Sequence, residues 1–370
     1  MRQLASIQKI INLQPIEGKD KIELATILGW NVVVQKGEFK VGDLCVYVEP
    51  DTLLPEKPEY EFLRKRCYSK KFGGFRIKVM KLGSVYSQGI VFPYNGKGKE
   101  GDDISEELGV KAYDLDELSE NKKPDVKYNW FKRFLIRVGL LKFNRKTQSF
   151  PSFAIKSDET RLQAIPEVLN HIFPVVEGRP IYITEKLDGC SAFYFYYKGK
   201  TGVCSRNVWL IKNKKGGYDN GQYFEMEEKY DILNKLTKYC KDNKVNIGIQ
   251  SEIIGQGIQG NKYKLTEKEL YIYQIQDLDK NCFLDHIETV NICDSLGLKH
   301  VPVVGLNNFP KTVEDWVKAS IDKSVINPFV QREGIVVRSY KEHTIPNIKT
   351  VKQRLSFKVI NPEFLLKDED

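Results

Sequence analysis

The sequence predicts an α+β protein of two domains, in which a small β-barrel precedes a domain built on antiparallel sheets. Short runs of strand length, separated by glycine-containing turns, occupy the first 113 residues. The composition changes across residues 114–149, and from residue 150 onward further strand patterns alternate with helical ones. The length of 370 residues suits two domains of ordinary size, and a hydrophobic content of 41% suffices for both cores.

Residues 1–113 contain three clear strand patterns. Runs of β-branched or aromatic residues lie at 31–35, 44–49 and 75–80. In the last run Phe75, Ile77 and Val79 alternate with Arg76 and Lys78, which predicts one apolar and one basic face. About five such strands in this length favour an OB-fold, and a single sheet packed on a helix is the alternative.

Basic residues cluster toward the end of this first domain, and the whole chain carries a net charge of +9. The eighteen residues from Arg64 to Lys81 include eight lysines and arginines, interleaved with Tyr68, Phe72 and Phe75. This mixture suits phosphate contacts and base stacking. We therefore predict a nucleic-acid-binding surface here, and a solvated basic face is the alternative.

Residues 114–149 are predicted to join the two domains. The segment 114–125 is acidic and polar and contains a proline near its end, which is typical of a linker. The segment 128–145 places apolar side chains at helical spacing, with Lys132, Arg133 and Arg137 between them. This pattern predicts an amphipathic helix with a basic polar face. We expect the helix to pack against one domain, and contact with nucleic acid is the alternative.

The second domain, residues 150–370, combines strands and helices. Strand patterns lie at 181–185, 192–197, 203–205, 247–254, 270–276, 334–338 and 355–360. Helical patterns lie at 161–171, 224–243, 286–296 and 313–320. This order predicts an α+β domain with antiparallel sheets.

Composition argues against several classes of protein. Seven cysteines without close pairs argue against a disulfide framework and a zinc site, and four scattered histidines argue against a histidine-based triad. No apolar run approaches the length of a membrane span, and the first ten residues lack the apolar core of a signal peptide. We expect an intracellular protein, cytoplasmic or nuclear, that does not bind membranes.

The segment 181–191 carries the strongest chemical signal. A run of β-favouring residues ends in Lys186, which is followed by Asp188 and Gly189. A lysine becomes a nucleophile only when it loses its proton, a carboxylate can help to hold a metal, and glycine lets backbone pass close to a nucleotide. The same four-residue pattern also suits an ordinary surface turn, so the segments that follow decide between the two interpretations.

Later strands carry polar residues where a packed strand would not favour them. They are Ser205-Arg206-Asn207, Glu252 with a glycine-rich sequel, Glu333 at a strand start, and Ser356-Phe357-Lys358. A carboxylate in an apolar run is costly unless it is paired or liganded. With Lys186 and Tyr273 they form an ordered set of lysine, arginine, carboxylate, aromatic, carboxylate and lysine.

This ordered set resembles the covalent nucleotidyltransferase superfamily of ATP-dependent polynucleotide ligases and capping enzymes. The matching motifs are KLDG from Lys186, SRN around Arg206, the Glu252 strand, YIYQI with Tyr273, EGIVV from Glu333 and SFK ending at Lys358. DNA ligases and capping enzymes carry their OB-fold after the last motif, whereas here the barrel precedes it and only twelve residues follow Lys358. The layout resembles the RNA ligases with an N-terminal OB-fold domain that seal 3′-OH/5′-phosphate nicks. The segments 74–93 and 150–166 are also similar to that group.

The resemblance implies an ATP-dependent RNA ligase that acts through lysyl-AMP on Lys186, with ATP and Mg or Mn as cofactors and RNA, as a nicked duplex, as partner. Implied roles are distributed over the motif residues: Asp188, Glu252 and Glu333 for the metal, largely through water; Glu185 for the adenine N6; Tyr273 and Val337 for the two faces of the base; Arg206 for ribose; Arg161 for the triphosphate; and Lys358 for deprotonation of Lys186 and for phosphate. Arg76, Lys78 and Lys81 are the expected RNA contacts, and a monomer is expected.

Two residues depart from the motifs of this family. Ser356 stands where most relatives have lysine, and Lys352 or Arg354 could replace it if the strand extends that far. Gln274 follows Tyr273 where an aspartate is common, which leaves the stacking aromatic but not the carboxylate. A DNA ligase or capping-type enzyme, and an RNA-binding protein with a decayed ligase domain, are the alternatives.

Overall fold

A computed structural model describes residues 3–113, 147–156, 158–172, 181–212, 221–305 and 309–366. The predicted linker at 114–125 and the predicted amphipathic helix at 128–145 lie outside these residues. In the part of the chain that the structure describes, no helix is both long and apolar enough to cross a membrane.

The first domain consists mainly of strands. They are β1 (Ala5–Ile16), β2 (Lys19–Ile27), β3 (Trp30–Gln35), β4 (Leu44–Val48), β5 (Thr52–Pro55), β6 (Tyr68–Ser69), β7 (Gly74–Ile77), β8 (Val79–Leu82), β9 (Val85–Gln88), β10 (Ile90–Pro93) and β11 (Lys111–Ala112). Two short helices accompany them, α1 (Arg64–Cys67) and α2 (Ser105–Leu108), with a 3-10 helix at Pro58–Leu63 before α1.

The long strand β1 organises this domain because its two halves pair with different neighbours. Its first half pairs with β4 and its second half with β2, and the register shifts between Ile10 and Asn12. The resulting sheet, in the order β10-β4-β1-β2-β3, curls into an antiparallel half-barrel, as predicted. A second sheet, β11-β5-β7-β6, shares one buried cluster with it through Val48, Leu54 and Phe75.

One predicted strand of the first domain needs correction. The patterns at 31–35 and 44–49 correspond to β3 and β4, but the run 75–80 is divided between β7 and β8. The chain leaves the sheet of β5 at Lys78 and forms a separate pair with β9. Arg76, predicted to lie on an exposed basic face, is only 9% exposed.

The second domain contains the remaining elements. Its strands are β12 (Thr147–Ser149), β13 (Ile181–Lys186), β14 (Cys190–Tyr197), β15 (Lys200–Ser205), β16 (Val208–Leu210), β17 (Ile247–Ile254), β18 (Glu269–Asp277), β19 (Cys282–Phe283), β20 (Lys299–His300), β21 (Gly334–Ser339) and β22 (Ser356–Ile360). Its helices are α3 (Leu169–Ile172), α4 (Gly221–Tyr230), α5 (Ile232–Asn243), α6 (His286–Leu296), α7 (Val313–Ser320) and α8 (Pro362–Leu365).

Two sheets build this domain, which confirms the predicted α+β class. The larger has the order β12-β16-β15-β14-β17-β18-β19, and the short β20 joins β18 in parallel, an exception to the predicted antiparallel pairing. Helices α4, α5 and α6 cover this sheet through one large apolar cluster. The smaller sheet, β13-β21-β22, packs against α7, where the rings of Trp316 and Phe357 meet edge to face at 5.5 Å.

Two of the predicted helices, 286–296 and 313–320, match α6 and α7, and the other two are interrupted. The segment 161–171 forms two 3-10 turns and then α3, because Pro166 lacks an N–H and disfavours helical backbone at Ile165. The segment 224–243 forms α4 and α5, which are separated by Asp231 with a φ of 50°. These breaks shorten the elements without changing the class of fold.

The two domains approach each other closely at Gly29. Its N–H donates a hydrogen bond of 2.9 Å to the carbonyl oxygen of Gln163. A Cβ atom at this position would lie 2.9 Å from the Cα of Gln163 and 3.0 Å from Cγ1 of Val313. A contact with backbone cannot be relieved by a side-chain rotation, so the domain interface requires glycine here.

Replacing Gly29 with Ala should lower the free energy of unfolding by about 1–3 kcal/mol, the usual cost of overpacking. Gly305→Ala is the matched control, because a Cβ there meets nothing within 4 Å. Urea titration followed by tryptophan fluorescence measures both variants. Equal stability of the two would contradict the interface described here.

Candidate active site

A cavity of about 2000 Å³ lies between the two domains and collects most of the residues singled out in the sequence. The second domain lines it with Arg161, Glu185, Lys186, Asp188, Arg206, Glu252, Tyr273, Glu333 and Lys358. The first domain contributes Asp51, Arg76, Lys70 and Lys71 among others. Segments that are far apart in the chain therefore meet at one site.

Lys186 lies at the end of β13 and is bound by a carboxylate from the neighbouring strand. Antiparallel pairing places Lys186 opposite Gly334, so Glu333 comes just beyond the paired residues. The Lys186 Nζ donates to both carboxylate oxygens of Glu333 at 2.6 Å. Burial lowers the pKa of Lys186, but Glu333 and Glu252 outweigh it and hold the pKa above its ordinary value. Lys186 is therefore a protonated amine in this structure.

Glu252 is the second carboxylate near Lys186 and is half-buried. It lies on β17, opposite Ser191 of β14. Burial raises the pKa of Glu252 to about 8; Glu333 and Asp188 add to the increase, and Lys186 opposes it. At neutral pH this environment favours the protonated form of Glu252, chiefly because burial disfavours its charge.

Asp188 is the third carboxylate near Lys186, and two residues of the glycine-rich loop after β17 contact it. Its N–H donates to the Tyr263 hydroxyl at 2.7 Å, and its Oδ2 lies 3.1 Å from the Lys262 Nζ. Neither Lys262 nor Tyr263 was singled out in the sequence, although the glycine-rich segment before them was. Within the described residues, no three acidic, cysteine or histidine side chains are close enough to ligate one ion directly.

Glu185 and Tyr273, which were predicted to contact adenine, both line the cavity. Glu185 is 1% exposed, and its Oε2 accepts a hydrogen bond of 2.7 Å from the Val325 N–H. Its Oε1 meets no donor at hydrogen-bonding distance and angle in the described residues. Tyr273 has its hydroxyl 3.2 Å from that of Ser191. A buried acceptor beside an aromatic ring can recognise the amino group of a purine.

The structure corrects the second predicted contact with the base. Val337 is fully buried in the core between the smaller sheet and α7, and it does not line the cavity. Successive side chains of a strand point to opposite faces, so the neighbouring Val336 faces the cavity instead. The predicted strand therefore borders the cavity through Val336 rather than Val337, and a contact of this strand with the base stays a prediction.

Asp158 connects two predicted nucleotide contacts. Its Oδ1 lies 3.1 Å from the Lys358 Nζ, and its Oδ2 lies 3.1 Å from Nη2 of Arg206. The backbone of the same segment runs beside β22, since the Lys358 N–H donates to the Thr160 carbonyl oxygen at 2.9 Å. The sequence marked this segment as similar to the RNA ligases, but only Arg161 within it as a candidate.

Ser356, the unusual residue of the last motif, has a structural contact. It is fully buried, and its hydroxyl donates to the carboxylate of Glu159. Glu159 also accepts a hydrogen bond of 3.0 Å from Nε of Arg338. Ser356 shares the strand face of Lys358, but its hydroxyl is bound by this ion pair and it does not line the cavity.

Neither Lys352 nor Arg354 replaces the missing lysine in the way proposed from the sequence. The strand β22 begins only at Ser356, and Lys352 adopts a φ of 54° in the turn before it. Arg354 is 2% exposed and binds Glu342, with its Nε 3.0 Å from Oε2. The strand does not extend as far as Lys352 or Arg354, so the condition for either residue to replace the lysine is not met.

The three predicted RNA contacts are separated in the structure. Arg76 lines the cavity, but it lies 3.6 Å from Oδ1 of Asp51 and 4.0 Å above the Tyr113 ring. Lys81 pairs at 3.0 Å with Glu363 of the second domain. Neither Lys78 nor Lys81 lines the cavity. The basic surface that does border it is the exposed turn with Lys70 and Lys71.

The cavity holds a lysine among carboxylates, between two antiparallel sheets and opposite a curled β-domain. This arrangement defines a nucleotidyltransferase of the ligase type. Comparison with protein families supports this class. A family described as an OB-fold domain matches residues 4–94, and a family described as RNA ligase matches residues 179–360. The RNA ligase family thus covers most of the second domain and an OB-fold family covers most of the first, so the predicted family is confirmed.

Solved structures of an RNA ligase from Naegleria gruberi resemble the whole chain. Its complex with pyrophosphate has 28% identity and a TM-score of 0.77, with 100% of this chain and 99% of that chain covered. A glutamate-to-alanine variant with ATP and Mn has the same identity and TM-score and full coverage of both chains. A lysine-to-methionine variant with AMP and Mn has 27% identity, a TM-score of 0.77 and 99% coverage of both. A search of curated proteins gave no match.

The raised pKa of Glu252 predicts a pH-dependent effect on stability. Between its ordinary pKa of 4.5 and about 8, the folded protein keeps this proton while the unfolded chain loses it, so stability falls as pH rises through that window. Glu252→Gln removes the effect. The thermal midpoint of this variant, relative to wild type, should therefore rise from pH 5 to pH 8 and then level off. Melts without metal measure it, and a constant difference would contradict the assignment.

Proposed function

We propose that this RNA ligase joins 3′-OH and 5′-phosphate RNA ends in an ATP-dependent reaction, through a lysyl-AMP intermediate and an adenylylated 5′ end. The observation that carries the proposal is Lys186, half-buried at the cavity with its Nζ 2.6 Å from both oxygens of Glu333. A lysine that is shielded from water and whose charge is balanced by a carboxylate can lose its proton when that balance changes. The Naegleria complexes with ATP, AMP and Mn support the same substrate and metal.

The reaction consists of three displacements at phosphorus. Lys186 Nζ loses a proton and attacks the α-phosphorus of ATP, so that a P–N bond forms and pyrophosphate leaves. An oxygen of the RNA 5′-phosphate then attacks the same phosphorus, and the P–N bond breaks. The RNA 3′-OH finally attacks the 5′-phosphate and releases AMP. Each step is a nucleophilic substitution and requires no oxidant or reductant.

The carboxylates fit a divalent cation. Glu252, with its pKa near 8, and Asp188 and Glu333 near it offer the oxygen atoms that Mg²⁺ and Mn²⁺ favour. Because these three are too far apart to ligate one ion together, they would hold it largely through water. When bound, such an ion supplies positive charge that stabilises negative charge at the α-phosphate. The chain contributes Lys358 at the same cavity, 3.1 Å from Asp158, as a cation for phosphate.

The remaining residues would orient the nucleotide. The buried Oε1 of Glu185 suits the adenine amino group, with Tyr273 and Val336 beside the base. Arg206 and Arg161, both at the cavity, suit ribose and triphosphate. A ligand that satisfies the oxygen of Glu185 removes the cost of leaving it unpaired, which favours a purine with an amino group at this position.

The cavity also supports a nicked duplex as substrate. Its volume of about 2000 Å³ exceeds the roughly 300–1,000 Å³ of an ordinary small-molecule pocket. Lys70 and Lys71 on the first domain face the same space as Lys186 on the second. Of the basic residues near the predicted contacts, these two are better placed than Lys78 and Lys81 to meet RNA backbone that enters the cavity.

Lys186→Ala should abolish protein labelling by α-labelled ATP and the joining of unadenylated RNA, because the nucleophile is absent. It should still join pre-adenylated RNA, since the last step does not use the amine. The exposed Lys200→Ala is the control and should label like wild type. Full labelling of the Lys186 variant would contradict the proposal, and labelling of wild type by GTP would indicate a capping enzyme.

Lys358 and Ser356 should differ although they belong to one motif. Lys358→Ala removes a cation from the phosphate site and should slow labelling by about 10²–10³-fold, the usual effect of one stabilising donor. Ser356→Ala should label nearly normally but lose about 1–3 kcal/mol of stability, because Glu159 loses a buried donor. Labelling rates and urea titrations separate the two effects. A Ser356 variant as inactive as the Lys358 variant would contradict this assignment.

A further inference from the structure

The ion pair between Asp51 and Arg161 joins the two domains at the cavity. Nη2 of Arg161 lies 2.5 Å from Oδ2 of Asp51, and Arg76 lies 3.6 Å from the other oxygen. The side chains of Arg161 and Arg76 are each 11% exposed, and that of Asp51 is 21% exposed. All three line the cavity that contains Lys186. A carboxylate of the first domain thus lies between arginines of both domains.

The first domain holds Asp51 in a defined position. Its backbone adopts a φ of 59° in the short connection between β4 and β5. Its N–H donates to the Ile77 carbonyl oxygen at 2.8 Å, and its own carbonyl accepts from the Tyr113 N–H at 2.9 Å. Aspartate and asparagine adopt such left-handed backbone more readily than other residues with a side chain. The backbone therefore fixes the direction in which this carboxylate projects.

Arg161 is connected to the catalytic strand as well as to the first domain. Arg161 and Lys358 form a parallel β-bridge, and the Thr160 carbonyl accepts the Lys358 N–H. Two residues away, Gln163 accepts the hydrogen bond from Gly29. The segment is thus held by the first domain on one side and by β22 on the other. A change at Asp51 alters where the guanidinium of Arg161 lies, without altering a residue of any nucleotidyltransferase motif.

We infer that Asp51 is a positioning residue for the reaction with ATP: from the first domain it holds the Arg161 guanidinium in the place where the triphosphate is bound. The inference rests on the proposed function, in which Arg161 contacts the triphosphate. It adds to the nucleic-acid-binding surface predicted for the first domain a second role, in a step that does not involve RNA. A guanidinium fixed beforehand binds phosphate with less loss of conformational freedom.

A double-mutant cycle tests the inference. The variants are Asp51→Asn, Arg161→Ala and the double variant. For each, kcat and KM for ATP are measured in self-labelling of the protein. Joining of pre-adenylated RNA is measured separately. Asn keeps the size and the left-handed backbone of Asp51 but removes the charge. Asp51→Asn should raise KM for ATP at least tenfold, leave joining of pre-adenylated RNA unchanged, and have no effect on KM for ATP in the Arg161→Ala background. Asp51→Glu should restore part of the loss, and the exposed Asp20→Asn is the control.

Other outcomes would overturn the inference in distinguishable ways. If Asp51→Asn changed KM for ATP equally in the wild-type and the Arg161→Ala backgrounds, Asp51 would only join the domains. A lower melting temperature of Asp51→Asn with unchanged KM for ATP would show the same. An Arg161→Ala variant with normal KM would remove the contact through which Asp51 is inferred to act. A wild-type protein that takes no label from ATP would instead refute the proposed function itself.

Discussion

The ion pair between Lys186 and Glu333 is the constraint on which the arrangement of the site depends. It requires that β13 and β21 pair in one register, because a shift by one residue would turn Lys186 to the other face of the sheet. The same register sets Glu185 opposite Ile335, and the Glu185 side chain is buried beside the cavity. The proposed nucleophile, one carboxylate and the predicted adenine contact are therefore placed by a single strand pair.

A second set of charges lies on the cavity face of the same sheet, farther along its strands. Arg338 of β21 binds Glu159, which also accepts from Ser356 of β22. Arg354 lies 3.9 Å from Glu159 and pairs with Glu342. Such a network is costly to bury unless every member is paired, and removal of one member leaves an uncompensated charge. The serine of the last motif fits this network, since a hydroxyl satisfies Glu159 without adding charge.

The sequence predicted the order of the domains, the OB-fold and the motif residues, because those depend on local pattern and on spacing along the chain. It placed Val337 rather than Val336 at the cavity, because a two-residue period identifies a strand but not which face meets a ligand. It gave no signal for Asp51, whose partner Arg161 lies 110 residues later and in the other domain. The helical spacing of apolar residues at 161–171 predicts one helix, but Pro166 interrupts it, because proline outweighs spacing at that position.

The separation of the paired strands has a consequence for folding. Lys186 and Glu333 are 147 residues apart, and β21 is the central strand of a sheet whose other members lie on either side of it in the chain. Contacts of such long range form slowly, because a large loop must close before they contribute. During synthesis the lysine strand must wait for almost the entire second domain to leave the ribosome. The active site is thus among the last parts of the molecule to assemble, which keeps an unfinished chain from reacting with ATP.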